Sequence, residues 1–214
     1  MPPAALPLEH QIVQAIWTGT TNVALLPTVF LTCRVGMQFE SVISFFTFVT
    51  STAYHVCESL KTPFLGFNHG RWHHMDNVFA ITGLMVNIVN FAQAPRPSAL
   101  REFRNALAAS IVICAQLSSP WDLLHTVVPL ALGFVLMVLE MVYLRRLPTL
   151  DRVDAVKALL CTLIAGLCFY KGLDERSDWL RLWHGGWHIG VGGVSYFSVR
   201  CQNPQLRKVT QKSE

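Results

Sequence analysis

The 214-residue sequence is poor in charge: only 14% of its residues are Asp, Glu, Lys or Arg, against about a quarter in an ordinary soluble domain. From Gln11 to Cys33 there is no charge at all. The opening "MPPAALPLEHQ" has no Lys or Arg ahead of the first apolar run, which argues against a cleavable signal peptide. The six cysteines lack the paired short spacings of a zinc knuckle or a disulfide scaffold. Repeats and low-complexity tracts are missing. So are a basic stripe and an aromatic-interleaved recognition module, and the net charge of +4 therefore does not indicate nucleic acid. Apolar residues are what the chain has in plenty, at 52%. The composition is that of a membrane protein, with too little sequence outside the apolar runs for a second, soluble domain.

A helix needs about 20 apolar residues to cross the hydrocarbon layer, and seven segments come near that length: 12–33, 39–58, 75–94, 104–120, 123–144, 154–171 and 181–199. The expected fold is an all-α, polytopic bundle of seven transmembrane helices, with its core at 12–199. Residues 1–11 form a short extracytoplasmic N-terminus and 200–214 a polar cytoplasmic tail. "TGTTN" weakens the first span; the fourth is short and stops at the "SPWD" turn with Pro120. With seven spans, Lys61, Arg71, Lys171, Arg176 and Arg181 fall on one side, and the other twelve of the seventeen basic residues fall opposite. Positive charge gathers on the cytoplasmic side, so the N-terminus is expected outside or in a lumen. Trp17, Trp72, Trp121, Trp179, Trp183 and Trp187 all lie near that outer side, as an interfacial belt does.

Several polar residues break the apolar runs at one depth. "STAYHVCES" puts Ser51 and His55 four apart on one face of span two, and "WHGGWHIGVGGVSYF" does the same for His184 and His188 on span seven. "WHHMDN" places Asp76 at the outer end of span three. Span two runs outward while spans three and seven run inward, so His55, Asp76, His184 and His188 share one level and Ser51 lies about a turn deeper. Ionisable groups at such a depth face the bundle interior or a water-filled cavity. Three imidazoles and an open position make the donor set of a catalytic zinc site, and magnesium would call for oxygen ligands. Asp76 is a further ligand or a holder of water, and Ser51 supplies a donor and an acceptor close by. His69, His73 and His74 are weaker rival ligands. Cys57 points away from the face of His55, and His10 and His125 read as interfacial or structural. The glycines around span seven read as places of close helix contact.

These three segments resemble the signatures of the CREST superfamily, which includes alkaline ceramidases, adiponectin-receptor-like proteins, Per1-type lipid-remodelling proteins and the TMEM8/myomaker group. Its pattern is Ser and His on the second helix, Asp on the third and HxxxH on the seventh. The resemblance implies zinc ligation by His55, His184 and His188, with Asp76 and Ser51 arranging water and the developing oxyanion. "YHVCES" is most similar to the TMEM8/myomaker branch. Ceramidases carry an acidic, Trp-containing N-terminal segment and an Asp-Glu pair on helix three, where this chain has only Glu9 and Asp76-Asn77.

The function expected from these readings is a zinc-dependent integral membrane hydrolase acting on a lipid amide or ester. The alternatives are a non-catalytic myomaker-like protein of membrane fusion or remodelling with structural zinc, and a lipid-binding receptor. The expected partner is a membrane lipid.

Overall fold

The computed structural model describes residues 6–93, 99–118, 122–145, 147–174 and 177–203. Among them are helices and no named strand: α1 (Leu8–Thr21), α2 (Leu26–Arg34), α3 (Gln38–Leu60), α4 (His69–Val89), α5 (Ala99–Ser118), α6 (Leu124–Leu144), α7 (Arg152–Gly172) and α8 (Leu182–Cys201). The fold is all-α. A 3-10 turn, Asn22–Leu25, joins α1 to α2 within the first apolar segment. The break has a local cause. Pro27 stands in the first turn of α2, and its ring removes the N–H that would continue the ladder to Val23. The expected turn at Pro120, Trp121, and the basic residues Arg96, Arg146, Arg176, Arg207, Lys208 and Lys212 lie outside the described residues.

Three helical stretches are long and apolar enough to cross a membrane by length and composition: His69–Ala92, Leu124–Leu144 and Arg152–Gly172. The remaining helices carry an inverted polarity. Along α1, the 3-10 turn and α2 a buried row runs Gln14, Thr18, Thr21, Leu25, Thr28 and Thr32, beside Ala15 and Asn22, while Ile12, Ile16, Val23 and Phe30 are exposed. The row's steps of three and four make one inward stripe. Helix α3 repeats the pattern, with Glu40, Thr47, Thr50, Ser51 and His55 buried and Val42, Phe45 and Phe46 exposed. Apolar side chains facing outward around polar ones are costly in water and favoured in hydrocarbon. Several of the buried hydroxyls are satisfied locally: Thr18, Thr32, Thr47 and Thr50 each return a bond to a carbonyl of the preceding turn.

Helix α4 starts at His69, six residues before the expected start of span three. Asn68 is its N-cap, accepting from the Arg71 amide at 3.0 Å. The preceding loop is closed by its own backbone. Phe64 and Phe67 exchange two hydrogen bonds of 3.0 Å around Leu65 and Gly66, both at positive φ. The Trp72 indole then donates to the Phe64 carbonyl at 3.0 Å. This hairpin fixes how α4 leaves α3, and so where Asp76 meets Ser51.

At the opposite end, Arg101 and Arg104 are not the solvated loop charges that the basic-residue pattern suggests. Helix α5 begins at Ala99 and buries both. Arg101 pairs with Glu40, and Arg104 pairs with Glu140 at 3.2 Å. Asn90 donates to Glu40 at 3.0 Å and accepts from Arg104. Four helical elements are thereby joined by a charge-balanced network, the form in which buried ions are tolerated.

Helix α8 is the centre of the arrangement because glycine lets two neighbours come close. A Cβ at Gly185 would overlap the Trp17 indole, and one at Gly192 would overlap the Ala24 carbonyl. On another face, Gly186, Gly190 and Gly193 meet Cys168, Ala165 and Cys161 of α7. The first set advances in parallel with α1 and its 3-10 continuation, and the second runs antiparallel to α7. The glycine contacts expected of this segment are thus divided between two partners.

Candidate metal centre

His55 lies in the last two turns of α3, while His184 and His188 lie in the first two turns of α8. One end of the bundle therefore receives all three. Glycine at 185 sets the depth of α8 against Trp17, and a turn later the His188 Nδ1 comes to 3.1 Å from the Thr21 hydroxyl. Thr21 itself donates to the Thr18 carbonyl at 3.0 Å. With the hydroxyl proton directed there, the tautomer assigned to His188 carries its proton on Nδ1, toward Thr21 Oγ1. That tautomer leaves Nε2 with a free lone pair, the form a metal ligand needs.

One ring nitrogen from each of His55, His184 and His188 lies within 4.8 Å of the others. It is the one such donor group of three or more found among the described residues. His55 Nε2 and His184 Nε2 are 3.1 Å apart. The ring centroids are separated by 4.6, 4.7 and 4.9 Å, and the planes are inclined by 48–83°, so the rings splay around a common point instead of stacking. Two imidazole nitrogens on tetrahedral zinc, each about 2.0–2.1 Å from the ion, would be about 3.3 Å apart. The His55–His184 edge is within a few tenths of an ångström of that value, and the remaining separations reach no more than 4.8 Å. His55 and His188 are buried and His184 is partly exposed.

The other expected site residues gather on the same end. Ser51 is buried one turn below His55 and hydrogen-bonds the Asp76 carboxylate. Asp76 is outside the three-nitrogen group, so the structure brings it to Ser51 and not into the ligand set. His69, His73 and His74 are outside the group too; the His73 ring instead lies tilted against Tyr54, with ring centroids 4.7 Å apart. Cys57 turns away, and its thiol donates to the Thr62 carbonyl at 2.8 Å. His10 meets the edge of Trp179 at 4.8 Å, and the His125 carbonyl accepts from Gln116.

Two residues beside the group have no counterpart in the sequence reading. Thr21 belongs to the "TGTTN" stretch, where its polarity merely weakened a span. Glu58, one turn beyond His55, places Oε2 at 3.7 Å from His55 Nδ1. Its Oε1 accepts from the Tyr54 hydroxyl at 3.0 Å and faces the Arg181 guanidinium at 3.4 Å. An acidic residue three after a helical histidine was the available signal for Glu58. Nothing in the sequence links residue 21 to residue 188.

Among protein families, one described as "Protein of unknown function (DUF3522)" matches residues 10–189. A search of the curated proteins found no match.

Proposed function

The chain belongs to the DUF3522 family, and starting there we propose that it is a seven-span membrane protein whose three-histidine group holds zinc and hydrolyses an amide or ester bond of a membrane lipid. The observation that carries the reading is the convergence of His55, His184 and His188 nitrogens within 4.8 Å, inside a helical chain with candidate membrane spans. Zinc in that place would supply Lewis acidity for a carbonyl and a lowered pKa for water. The protein's own residues then have separate tasks. His55 and His188 present Nε2 from buried, oriented rings, and His184 completes the set from the exposed side. Asp76 accepts a proton from water and returns it to the departing group. Ser51 keeps that carboxylate in place by hydrogen bond and offers its hydroxyl to a developing oxyanion.

The seven-span reading draws on the inward polar stripes of α1, α2 and α3, which depress average hydropathy while their outward faces stay apolar. The excess of basic residues at the inner end supports an N-terminus outside or in a lumen. The resemblance to the CREST superfamily, and within it to the TMEM8/myomaker branch, agrees with the positions of Ser51, His55, Asp76, His184 and His188.

A second reading has an observation of its own. The α3 and α8 backbones barely approach one another, and α1 and α2 each pack against both. A zinc ion between His55 and the two α8 histidines would then be a staple, and no turnover need follow. The deciding experiment uses purified protein in lipid nanodiscs with a panel of lipid amides and esters. Fatty-acid release that stops on chelation and returns with zinc is expected. No release from zinc-loaded protein across the panel, with loss of the fold on chelation, would establish the staple instead.

A further inference from the structure

Glu58 has a charge that the hydrolytic scheme does not use, and its position is over-determined. It follows His55 by three residues on α3, which stacks the two side chains on one helical face. Both carboxylate oxygens are engaged. Oε1 is held by the Tyr54 phenol at 3.0 Å and approached by Arg181 at 3.4 Å. Oε2 is thereby turned toward His55 Nδ1, at a distance of 3.7 Å. That separation is longer than a hydrogen bond and is electrostatic in character. Arg181 is not a loose surface charge either. It is the N-cap residue of α8, and its carbonyl accepts from Trp17 at 3.1 Å and from the Gly185 amide at 2.8 Å.

We infer that Glu58 is the positioning residue of the histidine group, fixing the His55 ring so that Nε2 faces His184 and supplying negative charge opposite a bound divalent cation. The inference rests on the metal reading above. Its physical basis is the tautomer. A carboxylate beside Nδ1 favours the proton on that nitrogen, which leaves Nε2 unprotonated and more basic toward a metal. Three neutral imidazoles bring no charge to a dication, so a carboxylate one shell out supplies part of the compensation. Thr21 performs the tautomeric part of the task for His188 without the charge. Tyr54 and Arg181 act on Glu58, so the end of α3 and the start of α8 are joined by a link that does not pass through the metal.

The test compares wild type with Glu58→Gln, which keeps the size of the side chain and removes its charge. Full-length protein in nanodiscs is stripped of metal and titrated with zinc against a chelator of known affinity. Cobalt is then used in place of zinc, and its visible absorption read as a report of ligand geometry. The expected result for E58Q is a 10- to 100-fold weaker affinity and an altered cobalt spectrum, beyond any loss of metal-free stability that follows from breaking the Arg181 pair. Tyr54→Phe, which removes one holder of Glu58, is expected to weaken binding by roughly 2- to 5-fold. It remains informative if E58Q does not insert. Wild type that binds metal while E58Q or Y54F binds it equally well, with an unchanged spectrum, would overturn the role of Glu58 alone. Wild type that binds neither zinc nor cobalt would overturn the metal reading and this role with it.

Discussion

Thr21 and His188 are 167 positions apart in the chain, and the threonine hydroxyl meets the imidazole Nδ1 at 3.1 Å. The contact exists because α1 and α8 run in parallel, with Trp17 on Gly185 one turn before it and Ala24 on Gly192 one turn after. Thr21→Val keeps the shape and removes the acceptor. Zinc affinity is expected to fall by about tenfold, as for other outer partners of ligating histidines. Chelator competition on the purified variant checks this, and unchanged affinity would make the Thr21 contact incidental.

Asp76 is bonded by Ser51 and stands apart from the three nitrogens. Asp76→Asn is therefore expected to keep its zinc and to lose lipid hydrolysis by about 10² or more if this carboxylate moves the proton. Ser51→Ala is expected to cost less, because it loosens the carboxylate without removing it. Initial rates of fatty-acid release per zinc-loaded protein distinguish the two. Wild-type turnover in D76N would make Asp76 structural.

The glycine contacts make a prediction about stability alone. Gly185→Ala drives a methyl group into the Trp17 ring and should cost about 1–3 kcal/mol through overpacking. Gly166→Ala on the exposed face of α7 has nothing within 4 Å of the new methyl, so it should be neutral or slightly stabilising. Thermal unfolding of the two variants in one detergent makes the comparison. Equal melting temperatures would show that α8 can shift to accommodate the methyl.

Orientation is read from charge and can be read independently from tags. Epitopes at both ends, probed in cells with selectively permeabilised membranes, should place the N-terminus outside or in a lumen and the C-terminus in the cytoplasm. The reverse pattern would put the histidine group near the cytoplasmic face.

Much of this arrangement is legible in the sequence, and the rest is hidden for definite reasons. All seven helical segments follow from hydropathy, because even the polar helices keep a largely apolar outer face. The alternation of their directions is enough to bring His55 to the level of His184 and His188. The start of α4 lies outside the expected span because "NHGRWHH" is too polar to read as part of one, although Asn68 caps it. Arg101 and Arg104 look like flanking charges until their partners, Glu40 and Glu140, are seen 61 and 36 residues away. Thr21 and Arg181 escape for the same reason. Hydrophobic patterning reports which face of a helix turns inward, and it carries no information on which remote residue that face meets.

The claim on which the rest depends is that His55, His184 and His188 together hold one metal ion. It is tested most directly by elemental analysis of purified, correctly inserted protein, comparing wild type with His184→Ala. The account predicts one zinc per chain in wild type and loss of most of it in H184A. Wild type without zinc, or H184A with a near-stoichiometric amount, would contradict it.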